Sequence, residues 1–163
     1  MRDSNTGITV ILTTGAWDGS PADLEREFTV VHALVANMGR AAIRLAPGDL
    51  ELRDERGFHY ELLDAGGSFR RARPGETSGL QGRPESEPYP TGADDDYEYI
   101  EASGTDIAAS ALPWGYLEPG TQMRGFLYFE ELDTAHAAKL VWHFFDANGG
   151  QLVDLRFDFA LAT

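Results

Sequence analysis

The stretch "VDLRFDFAL", Val153 to Leu161, alternates without a break. Val153, Leu155, Phe157, Phe159 and Leu161 share one face of an extended chain, and Asp154, Arg156, Asp158 and Ala160 share the other. Successive side chains of a strand point to opposite sides, so this period of two predicts a β-strand with an apolar inner face and a charged outer one. The period recurs upstream in "KLVWHFFDANGGQL", where Leu140, Trp142 and Phe144 alternate with Val141, His143 and Phe145. The "DANGG" between the two runs supplies residues that tolerate positive φ, so Lys139 to Ala162 reads as a β-hairpin. Asp146, Asn148 and Gly149 look superficially like the start of a calcium loop, but the closing glutamate and the flanking helices are missing.

The same signal organises the rest of the chain. "EFTVVHALVANMGR" predicts a strand ending in an Asn-x-Gly turn, with Val31, Ala33, Val35 and Asn37 on one face and Phe28, Val30, His32, Leu34 and Ala36 on the other. "GDLELRDERGFHYELLD" predicts a second hairpin, with strands near Leu50–Asp54 and Phe58–Leu63 around "DERG". "GITVILTTGAW" gives a first strand, and "SPADLERE" a loop or one helical turn capped by Ser20 before Pro21. In "LEPGTQMRGFLYFEELD" a Pro-Gly turn precedes a strand, with Gly125, Leu127 and Phe129 on one face. A glycine there lets a neighbouring backbone or ring approach closely. From Asp64 to Gly92 the pattern breaks, and Gly, Pro, Ser and charge predict one long loop over about residues 64–96, followed by a short strand at Tyr97–Glu101. There is no internal repeat. The 163 residues predict a single domain, residues 1–163. Roughly seven to nine short strands punctuated by turns predict an all-β, immunoglobulin-like antiparallel β-sandwich.

Three of these segments together resemble a family of bacterial accessory domains with a telokin-like immunoglobulin sandwich, often found in surface lipoproteins. They are the strand ending in Asn then Gly ("VVHALVANMG"), the hairpin "LELRDERGFHYELL", and "LEPGTQMRGFLYF"; the final "DANGG" hairpin also fits. The resemblance runs from about Ile8 to Ala162. It implies binding or structural work and supplies no catalytic residues. The chain departs from it in lacking a lipidation cysteine and in carrying the long arginine- and proline-bearing loop.

Composition narrows the function. The absence of cysteine removes disulfides, cysteine-liganded zinc, iron–sulfur clusters and thiol nucleophiles. A net charge of −14 repels phosphate backbones and anionic lipid, so no nucleic-acid partner is expected and a cationic one is favoured. No apolar run approaches the ~18 residues of a membrane helix, so no membrane insertion is expected. As given, the chain reads as soluble, cytoplasmic, or exported if a leader has been removed.

The candidate chemistry is sparse. His32, His59, His136 and His143 lack the close spacing of a zinc pair. Asp94, Asp95 and Asp96, with Glu98 and Glu101, offer oxygen ligands suited to calcium, or else a solvated loop that pairs with Arg70, Arg71 and Arg73. No GxSxG elbow, phosphate-cradling glycine loop or HExxH occurs, so no enzyme is expected. The residues singled out for partner binding are Phe126, Tyr128, Val141, His143 and Phe145. They form second apolar faces on two strands close in sequence, and the two strands are expected to pair. Such faces need cover from the chain's own 64–92 loop and "IAASALPWGY" segment, from a protein partner, or from a second copy. The leading expectation is a non-enzymatic interaction or structural module that binds a protein partner or self-associates. The alternatives are a calcium- or small-ligand-binding protein using the acidic 94–101 loop, and a carbohydrate-active enzyme.

Overall fold

The computed structural model describes residues 1–65, 68–72, 97–101, 106–132 and 135–160. In chain order the strands are β1 (Ile8–Thr14), β2 (Thr29–Asn37), β3 (Ile43–Leu45), β4 (Leu50–Asp54), β5 (His59–Tyr60), β6 (Ser68–Ala72) and β7 (Tyr97–Glu101). One short helix, α1 (Asp106–Ser110), precedes β8 (Gly115–Leu117), β9 (Thr121–Phe129), β10 (Ala137–Asp146) and β11 (Gln151–Ala160). All the strand pairings are antiparallel. The fold is an all-β antiparallel sandwich.

One sheet has three strands in the order β1-β2-β9. The other has six. In it β10 pairs along one edge with β11, and the other edge of β10 is shared between β4 and β3. β5 lies beyond β4, and β8 beyond β3. The core fills the space between the sheets. From one side come Ile8, Val10, Val31, Ala33, Val35, Leu127 and Phe129; from the other come Ile43, Leu45, Leu50, Leu52, Leu140, Trp142 and Phe144. Trp142 and Phe144 are fully buried and stack at 5.2 Å between ring centres. The Trp142 indole N–H is buried with no hydrogen-bond partner among the described residues.

The predicted alternation of β11 holds, with a qualification set by its place in the sheet. Leu155 is buried, while Val153, Phe157 and Phe159 pack on the core but stay partly exposed. They lie on an outermost strand, where half of the surroundings of an inward side chain are missing. The final turn is as expected: Asp146 Oδ1 accepts the backbone N–H groups of Asn148 and Gly150, and Gly149 takes φ +83°.

Several boundaries differ from the sequence expectation. The strand expected over Phe58–Leu63 is only His59–Tyr60, because the chain then changes sheets and Leu62 bridges to Phe129 of β9. A strand, β6, lies inside the segment expected to be one long loop, and pairs with β7. The helical turn after Pro21 is a single 3-10 turn at Leu24–Arg26 preceded by Asp23, so Ser20 does not cap it. The Ser20 N–H instead donates to Asp106 Oδ2 at 2.7 Å.

Two details show how local sequence fixes the long-range packing. Asn37, fully buried at the end of β2, donates through Nδ2 to the carbonyls of Ala41 and Leu117, and its Oδ1 accepts the Gly39 N–H. One amide side chain thus ties the turn to β8. Gly125 answers the question raised by its position in β9. A Cβ there would lie 2.4 Å from the backbone of Leu112, because Ala111–Leu112 runs parallel to β9 and the Leu112 N–H donates to the Phe126 carbonyl.

Two substitutions test this packing. Phe144→Ala is expected to lower the unfolding free energy by about 3–5 kcal/mol, and Phe157→Ala by clearly less, in urea titrations. Gly125→Ala is expected to cost about 1–3 kcal/mol through overpacking against Leu112. A silent Gly125→Ala would contradict the close approach.

Candidate functional site

The five residues singled out for partner binding do not form one surface. Phe126 and Tyr128 are on β9, in the three-stranded sheet, whereas Val141, His143 and Phe145 are on β10, in the other. The expected β9–β10 pairing is therefore corrected. After β9 the chain crosses from one sheet to the other before β10 begins, so the two outer faces point away from each other.

On β9 the outer face is covered by the chain itself. Leu24, Phe28, Val30, Ile107 and Tyr128 form a second buried cluster, with Trp17, Leu63, Ala65, Ala111 and Phe126 packed against it. Trp17 meets Phe126 and Tyr128 edge-on at 5.1 and 5.9 Å, and its indole N–H donates to the Pro21 carbonyl. The Tyr128 hydroxyl donates to the Ile107 carbonyl at 2.9 Å, and burial pushes its pKa up. The "IAASALPWGY" segment thus supplies part of the cover, with the segment between β1 and β2. Phe126 and Tyr128 belong to this satellite core.

The outer face of the six-stranded sheet is different. Its centre is His143, whose side chain is 27% exposed. Nδ1 lies 2.8 Å from Asp154 Oδ1 on β11, and Nε2 lies 3.8 Å from Glu51 Oε1 on β4. The imidazole is held between carboxylates from the strands on either side, a cross-strand arrangement that pleated neighbours permit. Along β10 from His143, Phe145 is covered by the Arg44 guanidinium, 4.6 Å from the ring centre. Arg44 is in turn held by two hydrogen bonds to Asp49, at 2.8 and 3.1 Å. Tyr116 on β8 sits opposite Arg44 and is 59% exposed. Val141, half-buried, lies between Glu51 and Arg156 across the strands. No described segment covers this face. His32 lies on the other sheet and is in ring contact with Phe126, so it does not meet His143.

A second electrostatic centre closes the β4–β5 turn. Asp54, whose side chain is fully buried, accepts from the backbone N–H groups of Arg56 and Phe58, the Arg56 guanidinium and the Tyr60 hydroxyl. Burial alone would raise its pKa. The Arg56 guanidinium and the other donors outweigh that and hold the carboxyl below its ordinary value. This knot is structural, because every donor is local to the turn.

Among the described residues no three His, Asp or Glu side chains converge to hold a metal ion. Asp94, Asp95 and Asp96 lie outside the described residues, and so does their expected pairing with the arginines at 70, 71 and 73. No described helix is long and apolar enough to cross a membrane. Alternation in the sequence placed Asp154 and His143 each on the outer face of its strand. Glu51, Arg44, Asp49 and Tyr116 were not legible as neighbours, because their meeting depends on the order of strands across the sheet.

Fold and site together define an all-β sandwich in which the chain covers one outer sheet face and the described residues leave the other uncovered. No protein-family model matches the chain, and no curated protein matches it. Among solved structures it is similar to a candidate lipoprotein (ycdA) of Bacillus subtilis, with 8% identity and a TM-score of 0.46 over 93% of this chain. The chain spans only 36% of that protein's length. It is also similar to the secreted protein MPT63 of Mycobacterium tuberculosis, with 12% identity and a TM-score of 0.41, covering 96% of this chain and 89% of the other.

The two carboxylates give a signed pH dependence. Asp154 is held below its ordinary pKa first by the hydrogen bond with His143, against the effect of burial, with Gln151 assisting. Asp154 and Asp54 both titrate lower in the folded chain than when unfolded, so their contribution is present above the unfolded carboxyl value. It is lost as pH falls through the depressed folded values. The urea midpoint is expected to fall as pH drops below about 4, with a smaller acid-dependent loss in Asp154→Asn. A midpoint that stays flat through that range would contradict the assignment.

Proposed function

We propose that the chain is a non-enzymatic interaction module that docks a protein partner on the outer face of its six-stranded sheet. The observation that carries this reading is the contrast between the two outer faces. One is closed by Trp17, Phe28 and Ile107. The other presents exposed Tyr116, half-buried Val141 and an Arg44-covered Phe145 with no described segment over them. Tyrosine and arginine beside a small apolar centre with a charged rim are the composition of protein interfaces. Two polar groups at its centre are already partnered, in the Arg44–Asp49 ion pair and the His143–Asp154 hydrogen bond. A partner meeting them therefore covers groups whose charge is largely satisfied. The net charge of −14 favours a partner with a basic rim. The described residues of this face lie on a pleated strand surface, a geometry that suits docking.

The test is comparative capture. The wild-type chain and a Tyr116→Ala, Val141→Asp variant are immobilised at equal density and exposed to the same native extract at about physiological salt. Partners retained by the wild type are expected to be lost from the variant, whose thermal unfolding is checked to confirm that it folds. Loss of one good interface anchor costs about 2 kcal/mol or more, so retention should fall at least tenfold. Equal capture by both proteins would refute the reading.

A further inference from the structure

Among the described residues the six-stranded sheet ends on β11, a strand of ten residues whose only strand pairing there is to β10. Its register with β10 is regular from Val153 to Ala160, and the one irregularity sits before that run. A long, regular edge is a template for another strand. Chains usually block such edges with proline, lysine, inward charge or a bulge. Residues 153 to 160 carry no proline and no lysine, and their inward positions are Val, Leu, Phe and Phe.

Two further observations single out this edge. Phe157 and Phe159 face the core side yet remain partly exposed. With Leu12 of β1 they line a groove of about 710 Å³, where the edges of the two sheets come together. On the other side of the strand the charges alternate as Asp154, Arg156, Asp158. Asp154 is engaged by His143 and Gln151. Asp158 is not so engaged: its side chain is 81% exposed, with only a loose 3.8 Å approach to Lys139. Arg156 is exposed; its charge acts on Asp154, with no close ion pair between described residues.

We infer that β11 pairs antiparallel with β11 of a second copy of this chain, joining the two six-stranded sheets into one. The argument for a second copy over another partner is self-complementarity. A twofold axis normal to the sheet and passing beside Phe157 sets Phe157 against its own counterpart. The same operation sets Arg156 opposite Asp158 of the second copy, and Asp158 opposite that copy's Arg156. On the inner face it sets Leu155 opposite Phe159. Arg156 and Asp158 each meet their opposite and Leu155 and Phe159 each meet an apolar residue, while Asp154, already engaged within its own chain, falls opposite the small Ala160, as an isologous interface permits. The twofold keeps both inner faces on the same side, so the partly exposed phenylalanines gain cover where each copy lacks it. The new backbone hydrogen bonds satisfy the outward-pointing edge groups, and the apolar pairs fix the register.

The experiment is a charge reversal read by light scattering with size exclusion, in about 0.15 M salt so that repulsion between two copies of charge −14 is screened. The wild type is expected to be a dimer. Arg156→Asp and Asp158→Arg, each alone, set like charges opposite one another twice per dimer. Each is expected to weaken association about tenfold or more. The double variant restores opposite charges across the axis and is expected to regain the dimer. Both positions are on the exposed outer face, and circular dichroism confirms that every variant folds. A wild type that stays monomeric up to about 200 µM overturns the inference. So does a dimer indifferent to either single reversal, and so does a double variant that fails to recover. None of these outcomes depends on the outer-face partner, which the Tyr116 and Val141 variant tests separately.

Discussion

Strand β10 is the constraint on which the rest of the molecule depends. Its inner face carries Leu140, Trp142 and Phe144, all fully buried, so its backbone polar groups must be paired by neighbouring strands on both edges. One neighbour is β11, the hairpin partner supplied by "DANGG". The other edge is longer than any single strand that meets it. β4 pairs with it from Ala138 to Trp142, and β3 takes over at Phe145 and Asp146. This division brings Glu51 to one side of the outer row and Arg44 to its end. The polar cluster around His143 and the Arg44–Phe145 contact both follow from it. A shift of one residue in the β4 pairing would take Glu51 off this face, and one in the β3 pairing would take Arg44 off it.

The sequence was a good guide to faces and a poor one to neighbours. Alternation sorted the residues of β2 into two faces and identified the inner residues of β10 and β11, because the period of a strand is a local property. Turn chemistry located Asn37–Gly39 and Asp146–Gly150 for the same reason, since positive φ and side-chain capping are decided within a few residues. Neighbours across a sheet are decided elsewhere. β9 and β10 are consecutive and consecutive strands often pair, yet they lie in opposite sheets. The short strands β3 and β8, three residues each, carry too few side chains for a period to show. β6 was hidden because "SFRRA" has one large apolar residue among arginines. The cover over Phe126 and Tyr128 was half legible: "IAASALPWGY" was a candidate, while Trp17 gave no signal of reaching across to β9.

Gly125 shows how one residue links these scales. Its missing side chain admits the Ala111–Leu112 backbone along β9. Leu112 thereby reaches the main core, and α1, just before it, brings Ile107 to the satellite core over Tyr128. The outer face of the three-stranded sheet is closed as a consequence of a glycine on its inner face. Among the described residues no comparable device covers the outer face of the six-stranded sheet. There neighbouring charge shields an apolar group, as Arg44 shields Phe145.

The proposed docking face and the proposed dimer edge meet at β11, and their placement has a physical consequence. His143 and Val141 stand one strand in from that edge, opposite Asp154 and Arg156. A second copy added about a twofold normal to the sheet presents its own outer face on the same side, so the two faces become one surface with β11 and its counterpart at the centre. The Arg156 and Asp158 side chains, exposed in the single chain, would then be engaged across the axis. Each would lose rotamer freedom on the rim of the Val141–His143 row. A partner touching that row would meet an ordered rim in the dimer and a mobile one in the monomer, and ordering in advance lowers the entropic cost of association. By linkage, binding on the face and pairing at the edge would then favour one another, even though no residue is required by both.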